Sequence, residues 1–372
     1  MRDILTLCLA MMTMAAPAPA QSSAAGPDYL VWVASEATDR IALVRFNAAT
    51  GAKVEREFTI GLLPTDPDGP HGLTVSPDRR FLYITTAHGQ PFGFLWKIDA
   101  ATSAVVGRVE LGMFPATVQL TPDGAFAYVV NFNVHGEMVP SSVSVVGTDD
   151  MVEIARVPTC TMPHGSRLNP QGTRQYSACM MDDLLVEIDA RTFGVSRVFS
   201  VAKGAEQPAT LAAEHHSPLP TPHAPSCSPT WAQPSADGSR VYVACNKSNE
   251  ILEIDVDRWA LARRLPAAEG VYNLAVTRDG QLLLATNKRA QSVSVFELAT
   301  GKELARIPTK RRIVHGVVVS SDDRYAFVSV EGIGSQPGTV EVMDLRTRTA
   351  VAAADVGQMA GGIDFWKTEG GH

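Results

Sequence analysis

Charge is scarce in this chain: 19% of its residues are charged and the formal balance is −7. With no polybasic tract, nucleic acid has no basic face to meet and an anionic membrane surface has no counterpart. No Cys-x-x-Cys-His is present, which argues against covalent c-type haem. Neither a G-x-G-x-x-G run nor a P-loop occurs, so nucleotide cofactors have no support. The apolar run Ile4–Ala16 is too short to cross a bilayer as a mature helix.

That run has another reading. Arg2 precedes it and APAPAQ follows it, the order of a secretory signal peptide, with cleavage expected after Ala20. Cys8 lies within it between Leu7 and Leu9, without the small neighbours of a lipoprotein cleavage site. The expectation is a periplasmic or secreted protein, with residues 21–27 a loose leader and no membrane span.

From residue 71 onward one pattern recurs: SPDRRFLYITT, TPDGAFAYVVN, NPQGTRQYSAC, SADGSRVYVAC, TRDGQLLLATN and SSDDRYAFVSV. Each joins a tight turn to a strand of alternating β-branched and aromatic residues. The strand before each turn begins near His71, Ala116, His164, Thr230, Asn273 and His315, and a last copy, GGIDFW, begins at Gly361. The intervals are 45, 48, 66, 43, 42 and 46 residues, and periods in the forties mean four-stranded propeller blades. Three strand-like runs at the N-terminus, Tyr29–Ala34, Arg40–Phe46 and Lys53–Ile60, would complete the seventh copy. The expected fold is therefore all-β, a seven-bladed β-propeller over residues 28–367 closed by strands from both termini, with 368–372 a short tail. The one long interval contains residues 203–226, Pro- and Ala-rich and without strand period, expected to be an inserted rim loop.

The strands FAYVVN, RVYVAC and LLLATN, each followed by a strand of the type LVEID, ILEID or VEVMD, resemble the YVTN family of β-propeller repeats. The likeness spans most of the chain and is nearest to secreted YncE-like proteins. It implies a propeller. Similar propellers serve as enzyme subunits, lactonases and non-catalytic binding proteins, so the resemblance does not choose among functions.

In such a ring the start of each inner strand and the loop between second and third strands lie at one mouth of the channel. His71, His164 and His315 fall at inner-strand starts, each before a glycine. His88 and His135 fall in second-to-third-strand loops, and His215, His216 and His223 lie in the insertion. At about 51° per blade, His71, His164 and His315 would be spread almost trigonally. Imidazoles brought together in this way hold Cu, Zn or Fe and leave open positions, and the insertion would act as a lid supplying His215, His216 or His223. Duplication alone does not explain the three histidines, because Ala116, Thr230, Asn273 and Gly361 occupy the same position in other copies. Glu137, Asp182, Asp183 and Glu331 share the second class of loop and are further candidates. Arg167 and Lys288 would favour an anionic ligand, and Trp231 is the one tryptophan placed to face it.

Four cysteines follow the leader: Cys160, Cys179, Cys227 and Cys245. Each pair has one member before an inner strand and one at the end of the strand returning beside it. In an exported protein this points to disulfides Cys160–Cys179 and Cys227–Cys245. A Cys179–Cys227 pairing and a Cys/His metal cluster remain alternatives. Two functional readings follow: a metal-dependent enzyme or redox protein centred on the histidines, or a non-catalytic binding or scaffolding propeller for a small molecule or a periplasmic protein partner.

Overall fold

The computed structural model describes residues 26–63, 65–88, 92–211 and 224–370. The signal segment, most of the leader and His215, His216, His223 and His372 lie outside the described residues. Seven sheets follow one another around a channel. The inner strands are Pro70–Val75, Pro115–Leu120, Pro163–Leu168, Pro229–Pro234, Val271–Val276, Val314–Val319 and Ala360–Glu369, and we number the blades one to seven in that order.

The recurring turn motif has a physical reason. A hydroxyl at the turn's first position accepts the N–H of the residue that opens the next strand, as Ser76 does for Phe81 at 2.9 Å and Ser320 for Tyr325 at 2.9 Å. The aspartate two positions on accepts that same hydroxyl, at 2.6 Å in both turns. Thr121, Ser235 and Thr277 repeat the arrangement in blades two, four and five. Side-chain oxygens thus satisfy backbone groups that a tight turn would leave unpaired.

Blade seven closes the ring. Its inner strand Ala360–Glu369 pairs antiparallel with Asp28–Ser35, which pairs onward to Arg40–Asn47 and Gly51–Thr59. Arg45 holds the two ends of the chain together, with Nη1 2.8 Å from Asp28 and Nη2 2.9 Å from Glu369. Apolar residues of adjacent sheets interlock between blades. Tyr176, Leu185 and Phe199 of blade three, for example, share one cluster with Val243, Leu252 and Trp259 of blade four.

The insertion departs from the expected plain loop. Gln207–Ala209 is a short strand that pairs with Gly194–Ser200, giving blade three a fifth strand at its outer edge. Glu206 reaches Arg264 on the outer strand of blade four. The described roots of the insertion therefore sit on the outer flank between two blades.

Both disulfides expected from the matched cysteine positions are present, Cys160–Cys179 and Cys227–Cys245, with Cα separations of 5.9 and 4.5 Å. Cys160 ends the outer strand of blade two and Cys179 ends the second strand of blade three, so the first bond ties two blades together. The second fixes the return of the insertion to blade four. Asp183 works alongside it, its carboxylate accepting backbone N–H groups of Ser226, Cys227 and Ser228 at 2.5, 3.2 and 2.7 Å. Asp182 accepts the N–H of Thr161 at 2.7 Å. These two acids, candidates for the site by sequence, hold backbone in place.

Candidate functional site

All seven inner strands break register near their start, the shift falling between Pro70 and Leu73 in blade one, Pro163 and Ser166 in blade three, and Val314 and Val317 in blade six. Bulges re-aim side chains, and here they act on the very positions that carry His71, His164 and His315. The backbone N–H freed at the bulge is satisfied by a hydroxyl on the second strand: Gly72 by Thr85 at 2.7 Å and Gly316 by Ser329 at 2.9 Å. The glycine after each histidine is set by crowding. A Cβ on Gly72 would lie 2.2 Å from the carbonyl oxygen of Ala116, and one on Gly165 2.3 Å from that of Thr230. The requirement is local to these blades, since Thr117, Trp231 and Asn273 stand at the glycine position in blades two, four and five.

The three histidines are buried and belong to one aromatic ring at the channel mouth. His71 and His315 have ring centroids 5.4 Å apart, and His71 and His164 are 6.4 Å apart. Tyr272 stands between the other two, 5.3 Å from His164 and 5.0 Å from His315. The set is thus four-membered, with a tyrosine that the sequence reading did not single out.

Hydrogen bonding fixes the imidazole protons. Glu36 lies in the turn Glu36–Thr38 of blade seven and meets His71 Nδ1 at 2.7 Å and His88 Nε2 at 2.6 Å. Burial alone would raise this carboxyl, but the charge and hydrogen bonds of His71 and then His88 overcome it and hold it well below the usual carboxylate range. An ionised carboxylate only accepts, so Nδ1 of His71 carries a proton. In His164, Nδ1 donates to the Thr230 carbonyl at 2.9 Å while Nε2 accepts the Tyr272 hydroxyl at 2.9 Å. Burial pulls His164 down to about 3 and takes His315 well below its ordinary value, with Lys288 and the other imidazoles adding to the effect, so both rings are neutral. His315 Nε2 faces Glu331 at 4.0 Å. Glu331 is held by Lys288 at 2.8 Å, and the Lys288 ammonium also lies over the Tyr272 ring at 4.1 Å.

Among the described residues, two fully buried nitrogens in this cluster have no hydrogen-bond partner: Nε2 of His71 and Nδ1 of His315. Both residues line one small cavity of about 30 Å³ on the channel axis. Trp231 Nε1 and Asn273 Oδ1, on the same cavity wall, are also buried without partners. Such a volume admits one water or one ion. Among the described residues, no three or more His, Cys, Asp or Glu side chains are grouped so as to hold a metal ion as they stand.

The remaining candidates lie around this cluster. His88 is half-buried on Glu36, and His135 is exposed, packed against Phe114 at 5.1 Å and 5.8 Å from His88. Glu137 is exposed on the rim. Arg167 is deeper, its guanidinium 4.3 Å from the Trp231 ring, between the small cavity and a larger chamber below. Glu36 escaped the sequence reading although its turn belongs to the same second-to-third-strand class as the loops of His88 and Glu331. Applying that rule to the N-terminal strands would have found it.

The sequence matches no protein-family model and no curated protein. Solved structures share the fold. The periplasmic gluconolactonase of Pseudomonas aeruginosa is similar at 17% identity with a TM-score of 0.70, over 91% of this chain and 99% of that one. A functionally unknown protein from Desulfotomaculum acetoxidans gives 17% identity and 0.68, over 91% and 98%. Hydrazine synthase of Kuenenia stuttgartiensis gives 20% and 0.61, over 80% and 91%. At these identities the likeness establishes the propeller and nothing finer.

Proposed function

We propose that this is an exported YVTN-type propeller that carries a transition-metal ion at its histidine mouth and works as a metal-dependent enzyme or redox protein. One observation carries the reading: His71 and His315, each with a buried ring nitrogen that has no partner among the described residues, line one small cavity, and the opposite nitrogen of His71 is hydrogen-bonded to Glu36 while that of His315 lies 4.0 Å from Glu331. Carboxylates behind imidazoles fix the tautomer and raise ligand basicity, the usual second layer of a metal site. Two imidazoles sharing an ion at ~2.1 Å put their ring centroids about 5 Å apart, close to the 5.4 Å between His71 and His315. His164 is farther off and its lone pair is engaged by Tyr272, so it would complete a three-nitrogen site only once that hydroxyl turns away. Open positions then remain for water or substrate. The leader and the two disulfides support export.

The test is metal analysis of untagged protein prepared from a periplasmic fraction, followed by zinc and copper(I) titration. Near-stoichiometric metal that falls sharply in His71→Ala and His315→Ala, and not in His135→Ala, is expected. Metal-free protein whose His71→Ala/His315→Ala double variant binds added zinc as well as wild type would remove the reading in favour of the non-catalytic binding propeller.

A further inference from the structure

The opposite end of the channel has a different chemistry. A funnel of about 770 Å³ opens at the face of the turns, lined by Pro77, Pro122, Pro170 and Ala236. It narrows to a chamber of about 200 Å³ whose only charged walls are Arg167, Arg278 and Asp364. Asp364 is committed elsewhere. Its Oδ2 accepts the Thr74 hydroxyl at 3.0 Å and the Val75 N–H at 2.8 Å, and its Oδ1 accepts the N–H of Phe365 at 2.8 Å.

The arginines, by contrast, are short of partners. Among the described residues neither forms a salt bridge, and the single hydrogen bond of the Arg167 guanidinium is to the Ser166 carbonyl at 2.8 Å. Guanidinium carries five N–H donors, so most of those of Arg167 have no partner among the described residues. Burial pulls Arg167 down to about 10, with the charge of Asp364 acting against it. Trp231 stacks on its face and leaves the edges of the fork for a planar acceptor. The rest of the lining is mixed: Thr74, Gln119 and Gln233 add polar groups, and Leu73, Val118, Leu274, Val317 and Ile363 add aliphatic carbons.

We propose that this chamber binds a small organic carboxylate, entering from the turn face, its carboxylate paired with Arg167 and Arg278 and its hydrocarbon body against the aliphatic wall. A paired carboxylate matches the fork of Arg167, and the aliphatic side chains among the lining residues give a hydrocarbon body contacts that a free inorganic anion lacks. The site does not depend on metal at the histidine mouth.

Titration of the full chain with butyrate, followed by calorimetry and by saturation-transfer NMR of the ligand protons, tests this. One saturable site is expected, with affinity lost in Arg167→Met and weakened about tenfold or more in Arg167→Lys, whose ammonium lacks the fork. Arg278→Gln, at an exposed position, should fold normally and weaken binding about threefold by removing one charge. His71→Ala should bind butyrate as wild type does, separating this site from the metal reading. No saturable binding to wild type, unchanged affinity in Arg278→Gln or in a folded Arg167→Met, or inorganic phosphate binding as tightly as butyrate would each overturn the proposal.

Discussion

The hydroxyl of Tyr272, on the inner strand of blade five, donates to Nε2 of His164 on blade three across 2.9 Å. It occupies the lone pair that His164 would otherwise offer to an ion. Tyr272→Phe removes that donor and keeps the ring. The expected result is a small loss of stability, about 1 kcal/mol, together with zinc binding about tenfold tighter than wild type as the third imidazole becomes available. Thermal denaturation and competitive zinc titration on the same samples measure both. Unchanged zinc affinity would show that the hydroxyl does not hold His164 back.

Ring closure makes a different prediction. Deleting residues 28–60 removes three of the four strands of blade seven and leaves Ala360–Glu369 without its hydrogen-bonded neighbour. The truncated chain is expected to lack a cooperative thermal transition by circular dichroism, since exposed edges on both sides of the gap would also promote association. A sharp transition with native far-ultraviolet signal would refute the closed ring.

Acid sensitivity should trace to Glu187. Its carboxylate is fully buried and receives Ser196 Oγ at 2.7 Å, Arg174 Nη1 at 2.6 Å and Arg197 Nε at 2.9 Å. Burial alone would raise the carboxyl, but the bonds and charges of Arg197, Ser196 and Arg174 hold it below the usual range. A carboxyl depressed in the folded state contributes stability that is complete above its unfolded value of about 4.3 and is lost as pH falls through the folded value. Glu187→Gln is expected to cost about 2 kcal/mol near neutrality. In urea unfolding, that difference from wild type should shrink below about pH 4. A difference independent of pH would assign the cost to packing.

The disulfides should be inert and stabilising. Thiol reagent is expected to find no reactive cysteine in the folded protein until reductant is added. Each bond closes a loop of 18 or 19 residues, so Cys160→Ser/Cys179→Ser should lose roughly 3 kcal/mol in the chain-entropy picture. Four free thiols in native protein would contradict the pairing.

The blades were legible in the sequence because one hydroxyl-and-aspartate turn is repeated and its chemistry is local. Each inner-strand start falls within two residues of its expected position, as with Pro70 for His71 and Val271 for Asn273. Features resting on a single residue or a long-range meeting were not legible. Tyr272 was missed by a register error of one residue: Val271 pairs as Val314 does, and the Asn273 N–H meets Thr286 as the Gly316 N–H meets Ser329, so Tyr272, and not Asn273, stands at the histidine position. Glu36 was hidden by belonging to the blade assembled from both ends of the chain. Gln207–Ala209 is too short for alternation to show, and its pairing with Gly194–Ser200 is visible only in space.

Because Ala360–Glu369 is both the final strand and an inner wall of the channel, the order of synthesis bears on the site. Six blades can form while the chain is still emerging, but residues 28–59 must wait at an open edge for residues 359–369. Until they arrive, Gly361 and Gly362 are missing from the cavity beside His71 and His315, and Glu36 lacks the backbone contact from its N–H to the Met359 carbonyl. A nascent or C-terminally clipped chain therefore carries His71 and His315 without the wall that Gly361 and Gly362 supply.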